Sequence, residues 1–198
     1  MKIGILAVQG AFAEHEQMLE QLGAEYIELR KGEDVRQSYD GLILPGGEST
    51  VQGKLMRELD MFDTIQSQIK NGMPVLATCA GAILLAQQLS NDAATHLATL
   101  PAVVRRNAYG RQLGSFSVDE QIEGIGTFPM RFIRAPYIEK VLDDTKVLAK
   151  VDGNIVMVEN KNQLAMSFHP ELTSDTRIHE MFLKKIFKMV CLLCQRPI

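Results

Sequence analysis

Short apolar runs alternate with helical periodicity in the first third of the chain, and this alternation constrains the fold more than any other feature. Ile3–Val8, Tyr26–Arg30 and Asp40–Leu44 have the length and composition of buried strands. Ala11–Leu22, between the first two runs, has the spacing of an amphipathic helix that ends at Gly23. Strands that alternate with helices favour a mostly parallel central sheet with helices on both faces, so we predict an α/β fold.

The rest of the chain predicts further helices and a different kind of sheet. Helical periodicity covers Thr50–Asn71, the stretch from Cys79 to about Leu89, and Thr173 to about Leu193, whereas 91–101 is loop-like. Short strand candidates occur at Leu113–Val118, Phe128–Arg134, Val147–Val151, Ile155–Glu159 and Gln163–Phe168. Turn residues separate the last three, which is typical of hairpins. We therefore predict that an antiparallel extension joins the parallel sheet.

Composition indicates a single domain over residues 1–198, long enough for a sizeable core. The net charge of −3 gives no reason to expect nucleic-acid binding, and no apolar run is long enough to cross a membrane. The three cysteines, an odd number, argue against a disulfide framework and for a reducing compartment. We predict a cytoplasmic protein, and we predict neither a cofactor nor a metal ion.

Cys79 lies between two apolar runs with no turn dipeptide between them, so Pro74–Leu85 is interpreted as strand, sharp turn and helix. Its small neighbours, Ala77, Ala80 and Gly81, let the backbone fold tightly and leave the sulfur exposed, as in a nucleophile elbow. A cysteine among alanines is by itself more often a small buried hydrophobe. A His-Pro-Glu sequence further along the chain favours the nucleophile instead.

The third predicted strand runs into the sequence Pro-Gly-Gly-Glu-Ser-Thr at 45–50, where adjacent glycines can direct backbone N–H groups at a ligand. A P-loop does not fit, because five residues separate Gly47 from Gly53 and Leu55 replaces the required Ser or Thr. A plain turn remains the alternative. Loops at the carboxyl ends of neighbouring parallel strands converge on one crevice, so this glycine loop is expected to face Cys79.

The last predicted strand leads into His169-Pro170-Glu171. Residues two apart in extended chain point to the same side, so Glu171 is expected beside the imidazole of His169. A nucleophile needs a base, and the base needs a carboxylate that fixes its tautomer. Cys79, His169 and Glu171 supply these three groups. His15, inside the first predicted helix, is assigned to packing or to the surface.

Two further features leave alternatives open. The basic segment 105–111 is equally compatible with a solvated face and with an anion-binding or partner-docking loop, since arginine pairs well with carboxylates. Cys191 and Cys194 form a Cys-x-x-Cys near the end of the last predicted helix. A redox or zinc site needs a βαβ beginning or more ligands, so these two are interpreted as helix-surface thiols.

Five motifs occur in the order seen in the glutaminase subunits of pyridoxal 5′-phosphate synthases, which the chain resembles from Lys2 to about Phe187. They are Gly-Gly-Glu-Ser-Thr, Thr-Cys-Ala-Gly, Arg-Asn-Ala-Tyr-Gly-Arg-Gln, Arg-Ala-Pro-Tyr-Ile and Ser-Phe-His-Pro-Glu-Leu. That family belongs to the class I glutamine amidotransferases. The resemblance implies a flavodoxin-like fold, release of ammonia from L-glutamine, and its transfer to a (β/α)-barrel synthase subunit that assembles the cofactor.

The resemblance also implies roles for individual residues. Cys79 looks like the nucleophile, and His169 and Glu171 complete the catalytic triad. The residues that look like the glutamine site are Gly46, Gly47, Glu48, Arg106, Ile133 and Arg134. Backbone N–H groups of Gly47 and Ala80 are the natural donors of an oxyanion hole.

This chain departs from the family pattern at two positions, Ala77, where glycine is usual, and Arg105, where an acidic residue is usual. Ala77 is small enough for the elbow, whereas Arg105 bears on local electrostatics and partner contacts. Three interpretations compete: this amidotransferase subunit, another enzyme on a similar scaffold such as a cysteine peptidase or a different glutaminase, and a non-catalytic module. An intact triad with its His-x-Glu after the last strand favours the first.

Overall fold

The computed structural model describes residues 1–106 and 114–194. Its strands are β1 (Lys2–Leu6), β2 (Glu25–Leu29), β3 (Gly41–Leu44), β4 (Val75–Thr78), β5 (Ala86–Leu89), β6 (Leu100–Arg105), β7 (Ser115–Ile122), β8 (Gly126–Ile133), β9 (Tyr137–Val141), β10 (Lys146–Val151), β11 (Asn154–Asn160) and β12 (Gln163–Met166). Its α-helices are α1 (Phe12–Gln21), α2 (Ser49–Glu58), α3 (Phe62–Lys70), α4 (Ala80–Leu85) and α5 (Arg177–Cys194).

The central sheet is parallel on one side and mixed on the other. Its order begins β2-β1-β3-β4-β12, and every neighbouring pair in this part is parallel. The order continues β11-β9-β6-β5, and the pairs from β12 to β6 are antiparallel. Strand β10 also pairs with β11, in antiparallel orientation. Strands β7 and β8 form a separate antiparallel pair. The predicted α/β fold, a flavodoxin-like parallel sheet with an antiparallel extension, is confirmed.

Alternate residues of the central strands build two cores. Ile3 and Ile5 of β1 face the same cluster as Phe182 of α5, whereas Leu6 faces the cluster that contains Ile65 of α3. Helices α1 and α5 therefore cover one face of the sheet, and α2 and α3 cover the other. Strands buried on both sides explain why the sequence shows continuous apolar runs here rather than alternation.

The prediction of one helix over Thr50–Asn71 was wrong, because α2 and α3 are separate. Asp60 lies between them with a φ of 57°, in the left-handed region, and the N–H of Gly32 donates to the carbonyl of Leu59. This turn re-aims the chain so that Met61 and Ile65 are buried. The hydrophobic periodicity continues across the break, which is why the sequence pattern does not reveal it.

Other elements also differ from those predicted. The helix after Cys79 ends at Leu85 instead of about Leu89, because 86–89 forms β5, which pairs in parallel with β6. The loop predicted to reach Pro101 ends sooner, since β6 begins at Leu100. Strands β6 and β9 were not predicted at all, and β9 lies between β6 and β11.

The C-terminal helix is shorter than predicted at its beginning. A 3₁₀ turn occupies Pro170–Leu172, and α5 begins at Arg177 instead of Thr173. In the described ranges, no helix combines the length and the apolarity needed to cross a membrane. The single domain over residues 1–198 stays a prediction.

Candidate active site

A crevice of about 520 Å³ opens at the carboxyl ends of four adjacent parallel strands. It is lined by Gln9 after β1, by Gly46 and Gly47 after β3, by Cys79 after β4 and by His169 after β12. Ligands of open α/β sheets bind in such a crevice, beyond the carboxyl ends of the strands. The sequence-based expectation that the glycine loop faces Cys79 agrees with this arrangement.

Cys79 forms the sharp turn between β4 and α4, but it is buried, so the prediction that its sulfur is exposed was wrong. Its φ of 46° lies in the left-handed region that a side chain rarely adopts, and its N–H donates to the carbonyl of Met166 at 2.8 Å. Gly81 allows the tight approach, since a Cβ there would lie 2.1 Å from the carbonyl oxygen of Leu44. The elbow forms with Ala77, which is fully buried in β4, so this departure from the family pattern does not prevent it.

His169 lies between Cys79 and Glu171. Its Nδ1 is 2.7 Å from Oε1 of Glu171, and it lines the crevice together with Cys79. Burial alone lowers the pKa of His169, but the hydrogen bonds and charges of Cys79 and Glu171 outweigh burial and raise the pKa to about 10. The imidazole is therefore held as an imidazolium, the form that stabilises a neighbouring thiolate.

The glycine loop is tied to the elements around it by hydrogen bonds. The N–H of Gly46 donates to Oγ1 of Thr78 at 3.0 Å, and its carbonyl accepts from the N–H of Ala11. The N–H of Glu48 donates to Oε1 of Gln9 at 2.8 Å. Gly46 has no room for a side chain, because a Cβ would lie 2.2 Å from Cε1 of the catalytic candidate His169.

The remaining predicted glutamine-site residues lie at the mouth of the crevice. Glu48, Arg106, Ile133 and Arg134 all line it. The Ile133 carbonyl oxygen lies 3.9 Å from the sulfur of Cys79. Ala80, the second predicted oxyanion donor, is the first residue of α4 and follows Cys79 directly.

The two arginines at the mouth have different environments. Arg106 Nη1 pairs with Oδ2 of Asp92 at 2.7 Å, and its Nη2 donates to Oγ1 of Thr50 at 3.1 Å. Arg134 is exposed and forms no ion pair with any described residue. Arg105 points elsewhere and pairs with Glu139 at the surface. The rest of the basic segment lies at 107–111, outside the described residues.

A second polar cluster, which sequence reasoning missed, lies behind Glu171. His15 of α1 is fully buried, its Nδ1 is 2.9 Å from Nε2 of His179 in α5, and its Nε2 is 3.3 Å from Oγ1 of Thr78. His15 had been assigned to packing or to the surface. His15 and His179 are 164 residues apart in the sequence, so no local pattern reveals their contact. The only signal was that a histidine on the buried face of a helix needs a polar partner.

No group of three or more His, Cys, Asp or Glu side chains is arranged to hold a metal ion in the parts of the chain that the structure describes. Cys191, on the last turns of α5, is exposed and lies outside the crevice.

Comparison with known proteins agrees with the fold and with the motifs. The model of the SNO glutamine amidotransferase family matches residues 5–188. The chain is 63% identical over 186 residues to the pyridoxal 5′-phosphate synthase subunit PdxT of Desulfitobacterium hafniense (strain DSM 10664 / DCB-2), with 94% of each chain covered. It is 52% identical over 187 residues to PdxT of Streptococcus pneumoniae (strain CGSP14), covering 93% of this chain and 96% of the other.

A solved structure described as a glutamine amidotransferase superposes with a TM-score of 0.88 at 43% identity, covering 93% of this chain and 98% of the other. The family predicted from the five motifs is confirmed, as is the enzyme class. The chain belongs to the SNO glutamine amidotransferase family.

Proposed function

We propose that this chain hydrolyses L-glutamine to glutamate and ammonia with Cys79, His169 and Glu171, and that the ammonia serves pyridoxal 5′-phosphate synthesis by a partner subunit. The observation that carries the proposal is the position of His169, which lines the crevice together with Cys79 and has its Nδ1 2.7 Å from Oε1 of Glu171. The relatives named as pyridoxal 5′-phosphate synthase subunits, at 52% to 63% identity over nearly the whole chain, support the pathway.

The reaction uses the sulfur of Cys79 as nucleophile and the imidazolium of His169 as proton donor. The Cys79 thiolate attacks the carboxamide carbon of glutamine, and His169 donates its proton to the departing nitrogen as the carbon–nitrogen bond breaks. Ammonia leaves, and a glutamyl thioester remains on Cys79. His169, now neutral, takes a proton from water, which attacks the thioester and releases glutamate. Glu171 holds the imidazole in one tautomer and stabilises its charge throughout.

The negative charge that develops on the carboxamide oxygen needs preorganised donors. The N–H groups of Gly47 and Ala80 are the donors we assign, because one belongs to the glycine loop and the other begins the helix after the nucleophile. Removing one such donor typically costs about 10²–10³ in rate. The glycine loop therefore has to hold one particular backbone conformation during the reaction.

Glutamine also carries an α-carboxylate that an arginine can bind through two N–H groups. Arg134 is the better placed, because the guanidinium of Arg106 already pairs with Asp92 and Thr50. Arg106 then forms part of the wall of the site, together with Glu48 and the backbone at Ile133. This assignment gives the two arginines different tasks, charge neutralisation for Arg134 and shape for Arg106.

The partner we propose is a (β/α)-barrel synthase subunit. Ammonia released into water is protonated and loses its nucleophilicity, so a second chain has to receive it directly. Gln9 and Gly10 line the crevice beside the glycine loop, and Gln9 accepts from the N–H of Glu48 in that loop. A partner that docks on Gln9 would therefore act on the loop that carries Gly47. A tenfold activation needs only about 1.4 kcal/mol of differential binding.

The test is glutamate formation from L-glutamine by the full chain, alone and with increasing synthase subunit. We expect slow hydrolysis by the chain alone, at least tenfold activation by the partner, and no hydrolysis by a folded Cys79→Ala variant in either condition. A wild-type chain that never hydrolyses glutamine contradicts the enzyme proposal. Full activity that the partner leaves unchanged contradicts the docking proposal and leaves the triad intact.

A further inference from the structure

The carboxylate of Glu171 has a second side, which faces the interior of the protein. Its Oε1 is 2.7 Å from Nδ1 of His169 and 3.5 Å from Oγ1 of Thr78. Its Oε2 is buried and has no hydrogen-bond partner among the described residues, and Nε2 of His15 lies 3.6 Å away. A buried carboxylate oxygen without a donor is costly, so the nearest N–H dipole matters.

His15 and His179 are both neutral in the folded protein. Burial lowers the pKa of His15 well below its usual 6.5, and the neighbouring His179 and His169 lower it further. Burial lowers the pKa of His179 to about 4. Each of these two rings therefore has one N–H and one bare nitrogen, and the contact of 2.9 Å between them requires one to donate to the other.

The surroundings select one of the two possible directions. If His15 donated from Nδ1, its bare Nε2 would face the Glu171 carboxylate, and His179 would keep a buried N–H at Nδ1, where no described residue accepts it. If His179 donates instead, His15 is protonated at Nε2 and presents an N–H to Glu171. His179 is then left with a bare nitrogen, and a buried acceptor without a partner is tolerated better than a buried donor.

We propose that His15, fixed as its Nε2–H tautomer by His179, is a positioning residue that directs its N–H at the carboxylate of Glu171 and keeps that carboxylate aligned with His169. The inference rests on the proposed function of the triad. At 3.6 Å the interaction is that of a charge with an N–H dipole in a buried site, where electrostatic interactions are strong.

Thr78 completes the same arrangement. The N–H of Gly46 donates to its hydroxyl at 3.0 Å, and in this tautomer the single Nε2–H of His15 is shared between Oγ1 of Thr78, at 3.3 Å, and Oε2 of Glu171, at 3.6 Å. The Thr78 hydroxyl then has its own proton for Oε1 of Glu171 at 3.5 Å. The glycine loop is thereby joined to the triad through Thr78.

The tautomer is tested directly by the ¹⁵N chemical shifts of His15 in the full chain at neutral pH, assigned with the spectrum of a His15→Gln variant. We expect a protonated Nε2 and a bare Nδ1. A protonated Nδ1 would overturn the proposal. This measurement does not depend on glutamine hydrolysis, so it decides the inference even if the proposed function fails.

The positioning role is tested by steady-state glutamine hydrolysis in the presence of the synthase subunit. His15→Leu keeps a similar volume without a donor, and we expect kcat to fall about tenfold while KM changes less than about twofold. His15→Gln restores an N–H near the former Nε2 and should recover kcat to within about threefold of wild type. Equal losses in the Leu and Gln variants would indicate packing alone and overturn the proposal.

His179→Leu provides a variant further from the triad, which decides the question if the His15 variants do not fold. It removes the donor that fixes the tautomer of His15, so we expect kcat to fall about threefold with KM unchanged. Wild-type kcat in this variant would overturn the proposal. If the wild-type chain does not hydrolyse glutamine, the proposed function is contradicted. The ¹⁵N shifts of His15 still test its tautomer in that case.

Discussion

Glu171 separates two histidines whose protonation differs. On the crevice side, the pKa of His169 is raised to about 10, whereas on the interior side the pKa of His15 is lowered well below 6.5. Burial lowers the pKa of both rings, because His169 is only 6% exposed and His15 is 0% exposed, and it is the largest cause at His15. The two pKa values differ because at His169 the hydrogen bonds and charges of its neighbours outweigh burial. His169 contacts both Cys79 and Glu171, whereas His15 contacts another histidine and reaches only 3.6 Å from Glu171.

The carboxylate of Glu171 therefore interacts with two histidines, but its charge stabilises a proton on only one of them, His169. The oxygen close to His169 stabilises an imidazolium that can give up a proton during the reaction. The other oxygen faces a neutral ring that cannot compete for that charge.

The largest effect is expected from substitutions on the crevice side. His169→Ala removes the proton donor and acceptor, and Glu171→Gln removes the charge that orients it, so each should lower kcat by about 10²–10⁴-fold. If Glu171 acts only through His169, the double variant should be little slower than His169→Ala, because triad members act as a unit. The measurement is glutamine hydrolysis with saturating synthase subunit.

Folded structure has to be verified for each of these variants by circular dichroism and thermal unfolding. Rate losses that simply multiply in the double variant would assign Glu171 a task independent of His169. In that case the role of the Glu171 carboxylate would not be explained by its contacts with His169 and His15 alone.

A smaller effect, on stability, is expected from the interior side. His179 has a pKa of about 4 when folded and 6.5 as its ordinary value, so the unfolded chain binds more protons between these limits. The free energy of unfolding should therefore fall as the pH drops below about 6.5, with a contribution from His179 on the order of 1 kcal/mol per pH unit. His179→Leu should make this decline shallower, as measured by urea unfolding between about pH 4.5 and 6.5.

His169 provides the matched control, because its shift has the opposite sign. Its folded pKa of about 10 lies above the ordinary 6.5, so its stabilising contribution is complete below about pH 6.5 and is lost as the pH rises through about 10. His169→Ala should leave the acid slope unchanged and alter stability on the alkaline side. Parallel acid slopes in wild type and His179→Leu would contradict the neutral state of the interior pair.

Much of the fold was predictable because its signals are local. Buried parallel strands gave short apolar runs such as Ile3–Val8, and the final helix gave a clear amphipathic stripe. Breaks that depend on tertiary contacts were not predictable. The turn at Asp60 satisfies the carbonyl of Leu59 through Gly32, and β9 is defined by pairing with β6 and β11 rather than by its own composition.

The candidate site divides in the same way. Cys79, the glycine loop and His169 each stand at the end of a strand, within motifs whose spacing carries the chemistry, so all of them were found in the sequence. His15 and His179 belong to two helices far apart in the chain, and neither sits in a motif. Their relation to Glu171 depends on how α1 and α5 pack on the same face of the sheet, which only the structure provides.

The smallest effect is expected at the other end of α5. If the interior contribution of this helix comes from the contact of His179 with His15, a substitution at Cys191 should leave glutamine turnover nearly unchanged, because Cys191 is exposed and lies outside the crevice. We therefore expect kcat and KM of Cys191→Ser within about twofold of wild type, as for most surface substitutions. A loss of kcat comparable to that of Cys79→Ala would show that the end of α5 takes part in catalysis. The effect of α5 on the site could then no longer be assigned to the contact between His179 and His15 alone.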